Sequence, residues 1–217
     1  MSLIELRDIK FAYNSDEPRV FDGLNLQVDR QQCIIVQGDN GSGKTTLFRI
    51  LNGLSFPQGG TYIFDGTQIT EQYLKDNRNS KLFHKRIGYL FQNPDVMLFN
   101  ARVYDEVAFG PRQMGLGDGE VASRVEDCLK LFDLETLQDK APYHLSGGQK
   151  KRVALAAVMA LNPEALILDE PFAGLDSKTQ DWLSDFLQQL KSAGKTLIIA
   201  THSDQLAEQL GDAVVRL

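Results

Sequence analysis

The stretch Gly38-Asp39-Asn40-Gly41-Ser42-Gly43-Lys44-Thr45 decides the fold of this chain. It fits the pattern G-x-x-x-x-G-K-[ST], in which glycines let backbone N–H groups converge on phosphate oxygens. The apolar run Cys33-Ile34-Ile35-Val36 precedes it, and the helical pattern Thr46-Leu47-Phe48-Arg49-Ile50-Leu51 follows. A strand, a glycine-rich loop and a helix in this order predict a phosphate-binding loop, because the positive end of the helix dipole favours anions.

The residue types in this loop suit a nucleoside triphosphate. Lys44 is predicted to reach the β- and γ-phosphates, and the hydroxyl of Thr45 to bind Mg²⁺. An accidental glycine-rich turn is the alternative, but the pattern arises by chance in only about one in a hundred chains of this length. The residues predicted to contact ATP from this loop are Gly38, Asp39, Asn40, Gly41, Ser42, Gly43, Lys44, Thr45 and Thr46.

Two later runs resemble the strand before the loop. Ala165-Leu166-Ile167-Leu168 and Thr196-Leu197-Ile198-Ile199 are continuously apolar, as strands covered on both faces are. Three buried strands interleaved with helices predict an α/β fold with a mostly parallel sheet. The first third of the chain otherwise indicates strands, since Leu24, Leu26 and Val28 alternate with polar neighbours as in a half-buried antiparallel strand.

The middle of the chain is predicted to be mainly helical. Val121, Val125 and Phe132 share one helical face, and a further helix begins at Ser146 and ends before Asn162-Pro163. The sequence therefore predicts a single domain, 1–217, with its core and a β subdomain at 1–93 and 162–217 and a helical insert at 94–161.

Two carboxylates close one of the buried strands. In Leu168-Asp169-Glu170 they come at the carboxyl end, where α/β sheets bind ligands. Asp169 is placed to hold Mg²⁺ through water, and Glu170 to orient and polarise an attacking water. Alone, acidic residues after a strand are as often the start of a loop, but the phosphate loop in the same chain favours the functional interpretation.

The segment Leu145-Ser146-Gly147-Gly148-Gln149 is a second anion-binding signal. Ser146 suits a helix N-cap, and the two glycines leave the next N–H groups accessible at the positive end of a helix. No second nucleotide-binding lysine accompanies it, which suggests two half-sites instead of one whole site. The following Lys150-Lys151-Arg152 is expected to be a solvated helix face.

Composition excludes several classes of protein. The formal net charge of −6 gives no support for a nucleic-acid surface, and no nucleic-acid partner is expected. The two cysteines, Cys33 and Cys128, form no metal spacing and no disulfide framework. No run approaches the roughly 18 apolar residues of a membrane span, so we expect a cytosolic protein that reaches a membrane only through a partner.

These motifs, in this order, resemble ATP-binding-cassette (ABC) ATPases. The resemblance extends over nearly the whole chain and implies a P-loop NTPase (RecA-like) core with an N-terminal antiparallel β subdomain and a helical insert. It also implies roles for residues that are weak signals alone. Gln92 resembles the family's glutamine loop, His202 the switch histidine at the γ-phosphate, and Tyr13 the aromatic residue that stacks on adenine, although Phe11 competes for that place.

The resemblance explains the two half-sites. In this family two cassettes pack head to tail, and each ATP lies between the phosphate loop of one and the Ser146-type segment of the other. The implied partner is a second ABC ATPase subunit, in a homodimer or a heterodimer. The resemblance then assigns the binding of ATP held by the partner to Ser146, Gly147, Gly148 and Gln149. It implies that the catalytic residues are Glu170, His202, Gln92 and Lys44. The residues implied around Mg²⁺ are Thr45, Gln92 and Asp169.

One stretch narrows the resemblance. Phe91 to Phe99, followed by Val107-Ala108-Phe109-Gly110-Pro111, is similar to ATPases of energy-coupling-factor (ECF) importers, which take up vitamins and transition-metal ions of the biotin, cobalt and nickel class. This implies an integral membrane coupling protein, a substrate-binding membrane protein, and a peripheral place at the cytoplasmic face of the membrane. Met97, Leu98 and Phe99 line the groove for the coupling protein or belong to ordinary core.

Other functions fit the motifs less well. An ATPase of another ABC transporter type is the first alternative, but it does not account for the ECF-like stretch that follows Phe91. A soluble ABC ATPase of DNA repair would carry a long coiled coil, and one of translation would carry two cassettes; the sequence has no sustained heptads and one cassette. A small-molecule kinase with a P-loop leaves the Ser146 segment unexplained.

Overall fold

The computed structural model describes residues 1–14 and 16–217 and contains two sheets flanked by helices. In chain order the strands are β1 (Ser2–Phe11), β2 (Phe21–Asp29), β3 (Cys33–Gln37), β4 (Gly59–Phe64), β5 (Thr67–Gln68), β6 (Ile87–Leu90), β7 (Ala165–Asp169), β8 (Thr196–Ala200) and β9 (Ala213–Arg216). The helices are α1 (Lys44–Leu51), α2 (Glu71–Lys75), α3 (Asn77–Arg86), α4 (Val103–Gln113), α5 (Asp118–Leu131), α6 (Gly147–Met159), α7 (Ser177–Ser192) and α8 (Asp204–Leu210).

The two sheets differ in strand direction. The first has the order β2-β1-β4-β5 and is antiparallel. The second has the order β6-β7-β8-β3-β9 and is parallel. The predicted α/β class, with a parallel core sheet and an N-terminal antiparallel sheet, is confirmed.

The parallel sheet separates two hydrophobic clusters. Along β7, Leu166 and Leu168 face the cluster formed with α4, α5, α6 and α7, whereas Ala165 and Ile167 face the cluster formed with α1 and the antiparallel sheet. This alternation follows from the period of two residues in a strand. It explains why the run is continuously apolar: both faces of the strand are covered.

Helices α2 and α3 interrupt the part of the chain for which the sequence indicated mainly strands. Their sequence is polar, and Phe83 is the buried residue of α3. The side chain of Asp76 caps α3 by accepting a hydrogen bond from the backbone N–H of Asn79 at 2.9 Å. A short helix that buries so little leaves no apolar periodicity, which is why the sequence pattern did not predict it.

Four charged side chains form a network at the amino ends of the parallel strands. Arg30 precedes β3, Arg86 precedes β6 and Glu164 precedes β7, while Asp65 follows β4. Arg30 Nη1 lies 2.6 Å from Glu164 Oε2, Arg86 Nη2 lies 2.5 Å from Asp65 Oδ2, and the other two pairings, Arg30 with Asp65 and Arg86 with Glu164, are also formed. The network joins the two sheets at this edge.

The opposite edge of the sheet holds the loops that carry the predicted site. Chain segments leave the carboxyl ends of β3, β6, β7 and β8 there, and ligand sites of open α/β sheets lie at that edge. None of the described helices is both long enough and apolar enough to cross a membrane.

Candidate nucleotide site

The glycine-rich loop runs from β3 directly into α1. Gly43, immediately before the helix, has a φ of 104°, a left-handed conformation that favours glycine. A Cβ atom there would lie 2.9 Å from the Phe21 ring and 2.9 Å from Val20 Cγ1, too close for another residue. The loop therefore needs glycine at this position both for its backbone conformation and for its packing.

Lys44 directly follows Gly43, and its side chain extends back into the glycine-rich loop. Its side chain is largely buried, and Nζ donates hydrogen bonds to the carbonyl oxygens of Gly38 at 2.6 Å and Asp39 at 3.0 Å. These bonds place the ammonium group at the centre of the loop, beside the positive end of α1. Both features favour a bound anion.

Thr45 and Asp169 meet although 124 residues separate them in the chain. The hydroxyl of Thr45 donates to Asp169 Oδ2 at 2.9 Å, and the hydroxyl of Tyr89 donates to the same oxygen at 3.4 Å. Burial raises the pKa of Asp169, and the two hydrogen bonds partly oppose that rise. A hydroxyl and a carboxylate side by side supply the hard oxygen ligands that Mg²⁺ prefers.

Glu170 follows Asp169 in a strained backbone conformation. Its φ is 44°, which costs a non-glycine residue on the order of 1 kcal/mol and persists only where surrounding structure fixes it. The backbone N–H of Glu170 donates to the carbonyl of Ala200 at 3.2 Å, which holds the end of β7 to β8. Burial raises the pKa of the Glu170 carboxyl, and the nearby His202 partly opposes the rise.

Tyr13 and Phe11 have different environments, so the structure separates the two aromatic candidates. Phe11 is 5% exposed and belongs to the core, whereas Tyr13 is 53% exposed. The Tyr13 hydroxyl lies 2.9 Å from Thr46 Oγ1, and its ring packs edge-to-face with Phe11 at 5.1 Å between centroids. The ring of Tyr13 thus has a free face next to the phosphate loop, and that of Phe11 does not.

These groups surround one cavity of about 510 Å³. Two of its lining residues, Val20 and Ala173, were not among the predicted site residues, since a small apolar side chain carries no chemical signal in a sequence. Gly38, Asp39 and Ser42 belong to the loop but not to the lining. The predicted residues that line the cavity are Tyr13, Asn40, Gly41, Gly43, Lys44, Thr45, Thr46, Gln92, Asp169, Glu170 and His202.

The Ser146 segment is not part of the lining of that cavity. Ser146 caps α6 in a reciprocal pair of bonds: its Oγ accepts from the Gln149 N–H at 3.3 Å, and Gln149 Oε1 accepts from the Ser146 N–H at 3.0 Å. A Cβ at Gly147 would meet nothing within 4 Å, so this helix start is open on its outer side. One chain therefore does not bring the two predicted anion-binding segments together.

The expectation that Lys150-Lys151-Arg152 forms a solvated face is wrong. Lys151 is 2% exposed, and its Nζ donates to the carbonyl oxygen of Gln92 at 2.9 Å. Lys150 Nζ lies 2.8 Å from Asp95 Oδ1, and the Arg152 guanidinium lies 4.4 Å from the ring centroid of Trp182. The segment after β6 covers this side of α6, and burial lowers the pKa of Lys151 to about 8.

An apolar cleft of about 440 Å³ lies beside the segment that follows Gln92. Met97 and Phe99 line it and Leu98 does not, while Met97 and Leu98 both pack against the helical core cluster. Phe99 is 67% exposed and contacts the ring of Phe109 edge-to-face, with centroids 4.9 Å apart. The apolar trio named from the sequence is thus divided between the cleft and the core.

Comparisons with known proteins agree with this arrangement. A family model described as "ABC transporter" matches residues 21–173. The nickel import ATP-binding protein LarO of Lactiplantibacillus plantarum is 48% identical over 207 residues, which cover 95% of this chain and 86% of LarO. The energy-coupling factor transporter ATP-binding protein EcfA of Methanothermobacter thermautotrophicus is 40% identical over 212 residues, 98% of this chain and 67% of EcfA.

A solved structure gives the same fold. The ATP-binding cassette MJ0796, in a dimeric structure of a post-hydrolysis state bound to ADP and Pi, superposes with a TM-score of 0.88 at 28% sequence identity. The match covers 99% of this chain and 94% of that one. The similarity therefore extends over both sheets and the helices between them.

Proposed function

This chain belongs to the ABC transporter family and is an ATP-binding ATPase of that family; from this premise we propose that it powers an energy-coupling-factor importer for a transition-metal ion or a vitamin. One observation carries the enzymatic part of the proposal. Groups from the ends of four parallel strands converge on one cavity: Lys44 after β3, Gln92 after β6, Glu170 after β7 and His202 after β8.

We assign the triphosphate to the loop between β3 and α1. Lys44 and the backbone N–H groups of the loop bind its phosphates, and Tyr13 stacks on the base with its free face. Thr45 and Asp169 fit Mg²⁺, because their oxygens lie 2.9 Å apart at the start of α1. When bound there, Mg²⁺ would neutralise charge on the phosphates, with Gln92 from the facing segment completing the site.

Glu170 is the residue proposed to act on the attacking water. Glu170 lines the cavity, and burial raises the pKa of its carboxyl group, which suits a group that accepts a proton during the reaction. His202 Nε2 lies 3.0 Å from Oε1 of the same carboxyl group, and this supports a role for His202 at the γ-phosphate. The chain thereby supplies a phosphate-binding cation, oxygen ligands for a metal and a base in one cavity.

The second half-site points to a dimer. Ser146, Gly147 and Gly148 lie outside the cavity of their own chain, at the open start of α6. We propose that they bind the γ-phosphate of ATP held by a second subunit, which would make two composite sites between two cassettes. Dimeric MJ0796 bound to ADP and Pi is a precedent for such a pairing in a protein of the same fold.

The apolar cleft is the proposed docking place of the membrane partner. It lies beside Gln92, is lined by exposed aromatic side chains and is more apolar than the nucleotide cavity. LarO is named for nickel import and EcfA for an energy-coupling factor transporter, and both names support an ATPase that powers an energy-coupling-factor importer. The chain would then lie peripherally at the cytoplasmic face of the membrane, bound to an integral coupling protein that accompanies a substrate-binding membrane protein.

The enzymatic proposal is tested with the purified chain. We expect Mg²⁺-dependent ATP hydrolysis, and we expect Lys44→Ala to abolish ATP binding because the ammonium group at the centre of the loop is lost. Lys130→Met, an exposed change on α5, is the matched control. Unchanged ATP affinity in Lys44→Ala would contradict the assignment of the loop.

The transport proposal needs the membrane complex. Phe99→Asp places a charge in the apolar cleft, so we expect loss of co-purification with detergent-solubilised membrane subunits, while ATP binding is retained. Leu131→Asp, at another exposed apolar residue, is the control and should co-purify normally. Recovery of the wild-type protein without any membrane protein would favour a soluble ATPase instead.

A further inference from the structure

Two consecutive lysines of α6 hold the segment that carries Gln92. Lys151 Nζ donates to the backbone carbonyl of Gln92 at 2.9 Å, and Lys150 Nζ lies 2.8 Å from Asp95 Oδ1. The second contact is at the surface, whereas Lys151 is 2% exposed. The segment is therefore attached at two points, three residues apart, to the helix that begins with Ser146.

Burial of the Lys151 ammonium group costs free energy, so its position calls for an explanation. Burying a charge without a carboxylate partner is unfavourable, and an apolar side chain of similar length would fill the same space. Among the described residues, the hydrogen-bond acceptor of Lys151 is the Gln92 carbonyl, and the negative charge of Asp169 stabilises the ammonium from a distance. Both of these partners belong to the proposed nucleotide site.

We propose that Lys151, assisted by Lys150, is a positioning residue that fixes the backbone of the Gln92 segment to the helix bearing the Ser146 half-site. The inference rests on the proposed function of both segments. When the partner's nucleotide engages Ser146, the first turns of α6 and the Gln92 segment move together, because Lys151 lies only five residues into the same helix. Binding of the partner's nucleotide at the Ser146 half-site thereby sets the position of Gln92 in the nucleotide cavity of its own chain.

The first test separates catalysis from nucleotide binding. Lys151→Met keeps the length of the side chain and removes the donor, so we expect kcat for ATP hydrolysis to fall about tenfold, with KM for ATP within about twofold. ATP affinity of the monomer should stay at the wild-type value, since Lys151 does not line the cavity. Lys130→Met, which removes an exposed lysine of α5, is the control and should leave kcat unchanged.

A double-mutant cycle distinguishes positioning from a general structural role. If Lys151 acts through Gln92, then Lys151→Met should cause little further loss of kcat in a Gln92→Ala background. A merely structural lysine would cause the same fold-loss in both backgrounds, and that additivity would overturn the proposal. A kcat within twofold of wild type in Lys151→Met would overturn it as well.

Two further variants keep the test decisive if Lys151→Met does not fold. Lys151→Gln keeps a neutral donor on a shorter side chain and should give an intermediate kcat; wild-type kcat there would count against the positioning role. Asp95→Asn weakens the surface contact with Lys150, and we expect a loss of about twofold to threefold, whereas no loss would remove Lys150 from the proposal. Failure of the proposed function itself is recognised separately, because Gln92→Ala alone would then leave hydrolysis unchanged.

Discussion

The Nε2 atom of His202 lies 3.0 Å from the Oε1 atom of Glu170, yet that oxygen is buried without a well-aligned hydrogen bond to any described residue. The two side chains come from the ends of neighbouring strands, β7 and β8. A buried carboxylate oxygen with unused hydrogen-bonding capacity is uncommon, and here it belongs to a residue that lines the nucleotide cavity. We propose that the Glu170 carboxyl group accepts the proton of an attacking water, and that His202 holds the carboxyl group beside the cavity.

Glu170→Gln should therefore stop hydrolysis without stopping binding. We expect kcat to fall by about 10²–10⁴, the usual contribution of a general base, while ATP affinity is retained. An ATP-bound dimer should accumulate and be visible by size-exclusion chromatography with light scattering. Glu126→Gln, an exposed change on α5, is the control, and equal turnover in Glu170→Gln and wild type would remove Glu170 from catalysis.

Ser146→Arg should prevent dimerisation while sparing the nucleotide site of its own chain. A bulky side chain would occupy the open helix start, which lies outside the cavity, so ATP affinity of the monomer should stay within about twofold. The amount of dimer is measured by light scattering with ATP present, comparing Glu170→Gln with the double variant that also carries Ser146→Arg. Loss of nucleotide binding by the monomer would show that the half-site assignment is wrong.

A second variant controls for the helix cap that Ser146→Arg removes. Loss of an N-cap costs about 1 kcal/mol, which itself could disturb α6. Ser146→Asp keeps a capping oxygen but brings a negative charge towards the partner's phosphate, and it should also abolish the dimer. Ser192→Arg, at the far end of α7, should dimerise normally.

Tyr13→Ala should weaken ATP binding about threefold to tenfold, as expected for the loss of one aromatic contact. Tyr13→Phe keeps the ring and loses only the 2.9 Å contact with Thr46, so its affinity should stay close to wild type. The measurement is a titration with a fluorescent ATP analogue. Equal affinity in Tyr13→Ala and wild type would exclude stacking on this ring.

Phe11→Ala provides the contrasting result. Because Phe11 is buried in the core, its truncation should lower the free energy of unfolding by about 3–5 kcal/mol. Urea denaturation measures this change. A large loss of ATP affinity in a stably folded Phe11→Ala protein would instead assign the base contact to Phe11.

Asp65→Asn should reduce stability at neutral pH but not in acid. Arg86 first, and Arg30 next, hold the pKa of Asp65 below its ordinary value of 3.8. A carboxyl group whose pKa is lower in the folded state stabilises the fold above about pH 4, and this stabilisation is lost as the pH falls through the folded-state value.

We expect a loss of roughly 0.5–1 kcal/mol at pH 7 in Asp65→Asn, because the network is partly exposed. The difference from wild type should shrink below pH 4, as urea denaturation at a series of pH values would measure. Asp127→Asn on α5 serves as the control. A difference that stays constant from pH 7 to pH 3 would contradict the electrostatic origin.

The sequence predicted what depends on local pattern. The phosphate-binding loop that contains Lys44 was recognised from the fixed spacing of its residues. The β7 and β8 runs are apolar because both of their faces are buried, and this pattern predicted the parallel core. The sequence did not predict burial that depends on segments distant in the chain. Lys151 looked solvated because nothing in its own helix shows that the residues after Gln92 cover it.

The aromatic pair near the loop illustrates the same limit. Phe11 and Tyr13 are equivalent in sequence spacing, and only the packing of β1 against β2 and β4 shows that Phe11 is in the core. The separation of the Ser146 segment from the cavity is likewise a property of the tertiary arrangement. The motif predicted an anion site, and the fold shows that this site does not line the nucleotide cavity of its own chain.

The charged network of Arg30, Asp65, Arg86 and Glu164 occupies the amino edge of the parallel sheet, and the nucleotide cavity occupies the carboxyl edge. The two are separated by the length of the strands. We therefore expect heat tolerance and turnover to be separable in this chain. Substitutions confined to the network should change the half-life at elevated temperature, and substitutions at the other edge should change the rate of hydrolysis.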